Sequence, residues 1–151
     1  MRSVAGGKSR SIILIALLVA FLCSGCGLKE TSGGIPPEVE SVVGTVTDDI
    51  ADERYDKVYD ESSELWKRDA TREQSAEVLK TLHLKLGKVE NRNVHSATEQ
   101  QNSGGQLKGR AFIISYKTKF EHGEAMETFT LIEENGRWLL ARYLVNSTAL
   151  K

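Results

Sequence analysis

The chain has 151 residues, with 20 basic and 21 acidic side chains, a formal net charge of −1 and 40% hydrophobic content. A chain of this length buries one small core, and its near-neutral balance argues against nucleic acid or a basic membrane-surface patch. Cysteine occurs only at Cys23 and Cys26, so an exported form relies on its core and not on a disulfide framework.

The first residues set an address. Arg2, Lys8 and Arg10, with no acidic neighbour, precede eleven apolar residues, Ile12 to Leu22, and then Cys23-Ser24-Gly25-Cys26. A basic start, a short apolar run and small residues make a secretory signal whose charged end stays on the cytoplasmic side. Ser24 and Gly25 leave the backbone unbulky, which suits cleavage before Cys26. The stretch resembles the lipobox of bacterial lipoproteins, with Cys23 standing where a leucine is usual. The resemblance implies that residues 1–25 are removed, that Cys26 carries the lipid, and that the bilayer is a partner through that acylated cysteine. Gly27 replaces the Asp that commonly retains enteric-type lipoproteins in the inner membrane. An outer-membrane site facing the periplasm of the cell envelope is therefore expected over an inner-membrane one. The competing reading is an uncleaved membrane helix over Ile12–Leu28, whose uncharged length only reaches the lower end of the spanning range.

Residues 26–37 form the lipidated cysteine and a flexible tether rich in Gly, Ser and Pro. A single domain is expected over 38–147, with 148–151 as a tail. Val39, Val42, Val43, Val46 and Ile50 share one helical face behind Pro36 and Pro37. Valines and Gly44 are poor helix formers, so packing must hold this helix. After a bend at Asp52–Arg54, Tyr55, Val58, Tyr59, Ser62, Leu65 and Trp66 continue at three-four spacing as a second helix. Thr71 and Gln74 make a capping box for a third, with Ser75, Val78, Leu79, Leu82 and Leu86 on its buried face and Gly87 as its stop. Three helices are thus expected before residue 88.

Beyond Gly87 the period changes. Val89 to Thr98 is extended but polar, and Glu99 to Gln106 reads as a loop. Phe112, Ile114, Tyr116, Thr118 and Phe120 alternate with more polar neighbours, giving a strand with one apolar face, and His122-Gly123 turns it. Ala125 to Glu133 follows as a strand, then a Glu134-Asn135-Gly136 hairpin, then Arg137 to Asn146. Strict alternation puts Trp138, Leu140 and Leu144 on one face of that last strand and Leu139, Tyr143 and Val145 on the other. Helices followed by a meander predict an α+β fold, N-terminal helices packed on a curved antiparallel sheet of about four strands.

Arg54-Tyr55, Trp66-Lys67, Thr71-Arg72-Glu73-Gln74, Leu86-Gly87 and Arg92 resemble the helical half of the domain of unknown function family 4019. Phe112 to Phe120, Glu127-Thr128, Asn135-Gly136-Arg137-Trp138 and Tyr143 resemble its strand half. Ser75 stands where that family often has Trp, and His83 near a common Arg. More loosely, the plan is similar to the nuclear-transport-factor-2-like cone (cystatin/SnoaL-like), shared by ketosteroid isomerases, polyketide cyclases and non-catalytic modules. A shared fold does not supply a function.

The candidate chemistry is sparse. Asp48, Asp52, Asp56, Asp60 and Glu64 recur every four residues, but carboxylates along a straight helix do not converge on one ion, so the stripe reads as a solvated face. His83, His95 and His122 lack zinc-ligand spacing. Gly104-Gly105 makes no phosphate loop, and no nucleophile motif occurs. No metal or cofactor is expected. An aromatic hollow is the one pocket the sequence offers, lined by Tyr55, Tyr59, Trp66, Phe112, Tyr116, Phe129, Trp138, Arg142 and Tyr143. By resemblance, isomerases of this shape set an acidic base against a Tyr donor. Glu127 lies on the side of Phe129 and Leu131, and Arg142 is its expected partner. The leading expectation is a non-catalytic, membrane-tethered binding or protein-interaction module serving an envelope protein or a small ligand. The alternatives are a small lipid-anchored isomerase or cyclase-like enzyme, a small-molecule binder using the aromatic pocket, and a module that dimerises through its sheet.

Overall fold

The computed structural model describes residues 34–151. The expected signal segment, the expected lipidation site Cys26 and the expected tether up to residue 33 lie outside the described residues. Four helices come first, α1 (Pro37–Ala51), α2 (Tyr55–Glu61), α3 (Glu64–Asp69) and α4 (Arg72–Leu86). Four strands follow, β1 (Val89–Asn102), β2 (Gly109–Phe120), β3 (Gly123–Glu134) and β4 (Arg137–Ser147). The strands pair antiparallel in the order β1-β2-β3-β4, an open meander, so the plan is α+β with helices N-terminal and sheet C-terminal.

In α1 the valine face is buried through Val39, Val43 and Val46, with Ile35, Val42 and Ile50 packed beside them. Its buried Asp49 is a residue that apolar periodicity does not flag. The carboxylate accepts hydrogen bonds from Arg54 Nε (2.8 Å) and Lys57 Nζ (3.2 Å) across the bend, and Arg54 N–H donates to the Asp49 carbonyl at 2.7 Å. These bonds fix the turn, in which Glu53 takes a positive φ of 60°.

The expected second helix is in fact two. Ser62 and Ser63 adopt extended ψ angles of 165° and 164°, and Ser63 Oγ caps α3 by accepting from Trp66 N–H at 3.3 Å. Ser63 N–H is drawn to the Leu140 carbonyl at 2.9 Å. Local serine bonding of this kind competes with a continuous helix. The break carries Leu65 away from Val58 to a separate cluster with Ala111, Ile132 and Ala141. Helix α4 opens with the Thr71–Gln74 capping box and ends at Gly87, whose φ is 75°. Its Ser75, Leu79 and Leu86 are buried, but Val78 is exposed, contrary to the expected buried face.

Strand β1 extends to Asn102 and takes in half of the expected loop. Its side chains carry no clear alternation because it is largely polar and more than half of its residues are exposed. Strand β2 follows the expected pattern, with Phe112, Ile114, Tyr116, Thr118 and Phe120 all buried. Asn135 and Gly136 turn the last hairpin with φ of 52° and 75°, the left-handed pair that a two-residue hairpin loop requires.

In β4, Leu131 faces Leu140 but Thr130 faces Arg142, so Ala141 is an extra residue. This bulge reverses the alternation beyond it. Trp138 and Leu140 share the helix-facing side with Tyr143 and Val145, while Leu144 turns outward, 63% exposed. The expected face of Trp138, Leu140 and Leu144 is corrected accordingly. Residues 148–151, expected as a tail, include a short 3-10 turn (Thr148–Leu150) whose Ala149 and Leu150 pack by Leu86, Phe120 and Ala125.

Candidate functional site

The site with the most concentrated chemistry is a buried carboxylate that ties the four strands together. Glu127 on β3 faces the helices beside Phe129 and Leu131 and is fully buried. Arg92 from β1 donates Nε–H at 2.7 Å to one carboxylate oxygen and Nη2–H at 3.2 Å to the other. Thr118 from β2 donates its hydroxyl to the first oxygen, and Tyr143 from β4 donates its hydroxyl to the second at 2.6 Å. Arg92 lies against the faces of Tyr116 and Phe129, 5.8 and 6.0 Å from their ring centres, so the cation has an aromatic bed as well as an anionic partner.

Burial pushes the Tyr143 hydroxyl well above its ordinary value, and the neighbouring Glu127 charge and hydrogen bond push it the same way. The phenol is therefore a neutral donor at any physiological pH. Glu127 accepts from a cation and two hydroxyls, so both oxygens are committed. A carboxylate held this way is poorly placed to abstract a proton.

Glu127 is paired, as the sequence led us to expect, but with Arg92 and not Arg142. The Ala141 bulge puts Arg142 opposite Thr130, on the sheet face away from Glu127, where its guanidinium donates to the side-chain amide oxygen of Gln106. Without the extra residue Arg142 would have faced Phe129. Periodicity does not mark Arg92 as inward, because β1 is largely polar and its pairing shifts register at two places.

The expected aromatic hollow divides. Phe112, Tyr116, Phe129, Trp138 and Tyr143 share the helix-facing side of the sheet. Phe129 stacks on Tyr143 at 4.6 Å, meets Tyr116 edge-on at 5.8 Å, and Phe112 meets Trp138 edge-on at 6.2 Å. Tyr55 joins the same core from α2, and its buried hydroxyl has no hydrogen-bond partner among the described residues. Tyr59 stands apart beneath the Arg72 guanidinium at 5.1 Å. Trp66 lies at the rim, its indole N–H donating to Ser75 Oγ at 3.0 Å. Arg142 is on the opposite side of the sheet.

Between α1, α4 and the sheet a cavity of about 40 Å³ remains, bordered by Thr47, Leu82, His83, Arg92, Glu127 and Tyr143. That is room for a water or two, roughly a tenth of the ~300 Å³ at which small-molecule pockets begin. The acidic stripe Asp48, Asp52, Asp56, Asp60 and Glu64 is exposed, with Asp60 bound to Arg72 and Glu64 near Lys67 at 3.7 Å. Among the described residues no His, Cys, Asp and Glu side chains gather in a metal-binding group. His83 borders the small cavity, and His95 and His122 are exposed.

No curated protein matches the chain. A family model described as "Protein of unknown function (DUF4019)" matches residues 45–143, a span from the middle of α1 to Tyr143. It contains every member of the Glu127 cage, Arg92, Thr118, Glu127 and Tyr143, and by that match the chain belongs to the DUF4019 family.

Proposed function

We propose that this chain is a membrane-tethered, non-catalytic interaction module of the cell envelope, anchored through lipid on Cys26. Its helices-then-meander order fits a nuclear-transport-factor-2-like plan whose interior has been closed. The observation that carries the non-catalytic reading is the saturated state of Glu127, among the described residues the one fully buried carboxylate on the helix-facing side of the sheet. An ion pair buried beneath helices is often no more stabilising than an apolar substitute, and fixing registry is its best-attested use. Here it joins one side chain from each strand, which suits a rigid platform. The basic start, the apolar run and Ser24-Gly25-Cys26 support the tether, and Gly27 supports the outer membrane.

A second reading, a small isomerase or cyclase-like enzyme, draws on the Tyr143–Glu127 hydrogen bond, since a phenol beside a carboxylate is a workable acid-base pair. The 40 Å³ cavity beside that pair and the Arg92 ion pair both weigh against it.

Two experiments test the proposal. Cys26→Ala leaves an unprocessed, unlipidated precursor by mass spectrometry and detergent partitioning; normal maturation of that variant would overturn the anchor. Melting temperatures measured across a panel of lipids and metabolites stay flat for an interaction module. A saturable rise of several degrees with a small carbonyl compound would favour the enzyme instead.

A further inference from the structure

We infer that the free edge of β4, with the groove it shares with α3 and α4, binds an extended peptide that carries apolar side chains and one carboxylate. This names the partner of the interaction module and rests on that reading.

The groove has a volume of about 550 Å³ and lies between the helices and β4. Four consecutive residues of the strand border it, Ala141, Arg142, Tyr143 and Leu144. Successive strand side chains point to opposite faces, so a groove bordered by four in a row runs along the backbone edge and not across one face. β4 is the last strand of the sheet. Among the described residues, the one backbone bond reaching it from outside the sheet is Ser63 N–H to the Leu140 carbonyl at 2.9 Å. The α2–α3 junction thus bonds the start of this edge, and among the described residues no backbone group from outside the sheet bonds it beyond Leu140. An edge with unpaired main-chain groups accepts an added strand, with affinity from backbone bonds and selectivity from side-chain pockets.

The walls specify what such a strand would carry. Val78 and Leu144 are 57% and 63% exposed, an outlay of apolar surface that α4 and β4 do not bury for themselves. Trp66, pinned by Ser75, borders the groove alongside them. Arg142 supplies the charge. Arg54, Arg72, Arg92 and Arg110 each hold a carboxylate, whereas among the described residues Arg142 is bonded to the neutral Gln106 side chain and forms no ion pair. A peptide carboxylate beside Arg142 gains a charge-assisted partner in place of an amide. Asp69, at the helix end of the groove, repels an acidic residue there and so favours one orientation of the strand.

The test titrates the full chain in detergent micelles with three short peptides of alternating Val and Thr. One has a central Asp, one a central Lys, and one the Asp with N-methylated backbone amides. Amide NMR shifts are read at Ala141–Leu144 and Val78. The Asp peptide is expected to shift these signals saturably, with roughly tenfold weaker binding for the Lys and N-methylated peptides. Arg142→Glu, an exposed-edge change that leaves the melting temperature in place, should reverse the preference towards the Lys peptide. No saturable shift with any peptide overturns the proposal, as does equal binding of the N-methylated peptide, which would mean a small apolar site. Concentration-dependent shifts at Leu144 without peptide also overturn it, making the edge a contact between two copies. Loss of this site would leave the module reading standing; that reading fails instead on a ligand-dependent rise in the melting panel.

Discussion

Replacing Arg92 with methionine leaves an unbranched apolar side chain and removes the guanidinium that lies over Tyr116 and Phe129. Glu127 then loses the 2.7 and 3.2 Å bonds and keeps only the Thr118 and Tyr143 hydroxyls, with none of its side chain reaching solvent. Breaking a buried pair from one side costs about 3–5 kcal/mol, since the orphaned charge is left desolvated. A domain of this size has a stability of only ~5–15 kcal/mol, so Arg92→Met removes about a fifth of it or more. Urea unfolding measures the loss directly. Glu127→Gln and the double variant complete a cycle: the double variant should be less destabilised than the two single changes added together, by about 2 kcal/mol, because it leaves no uncompensated charge. Lys119→Met, which breaks the exposed pair with Glu90, serves as the control and should move the midpoint little. A loss under ~1 kcal/mol for Arg92→Met, the range of a surface pair, or strict additivity in the cycle, would refute the buried cage.

Three further outcomes follow from the same geometry. Tyr143 has its folded-state pKa raised above the unfolded value near 10, so its contribution is fully present below pH 10 and is lost as the pH climbs through the folded value. Alkaline unfolding of the parent should therefore fall more steeply above pH 10 than that of Tyr143→Phe, and parallel curves would contradict this. Tyr55→Phe removes a buried hydroxyl with no partner among the described residues and should raise stability by about 1 kcal/mol in urea; a comparable loss would mean that the hydroxyl is satisfied in solution. Gly87→Ala puts a Cβ 2.8 Å from Glu121 Cβ at a φ of 75° and should cost about 2 kcal/mol, seen as a lower melting temperature.

Local chemistry made much of the fold readable. The Thr71–Gln74 box, the Gly87 stop, the valine face of α1 and the Asn135-Gly136 turn are short-range signals whose physics is complete within a few residues, and each stands where the sequence indicates. The pattern of β2 was equally plain, because one of its faces meets the core and the other meets solvent. The three-four spacing runs through Ser62 without a break, since the bond that marks the break, Ser63 N–H to the Leu140 carbonyl, spans most of the domain. Largely polar β1 carries no inward signal, so Arg92 stands out only through the family resemblance and not as the partner of Glu127.

The sequence by itself determined an α+β chain of helices before strands and an inward-facing Glu127. Tertiary structure alone decided who meets whom. One extra residue at Ala141 moved Arg142 to the outer face and Tyr143 to the inner, because strand periodicity is two and a single insertion inverts every side chain beyond it. Pairing across four strands then closed the cage around Glu127 with Arg92, 35 residues away. No pattern of local spacing encodes that distance, since it is set by the register of β1 on β2, with its two shifts, and of β2 on β3.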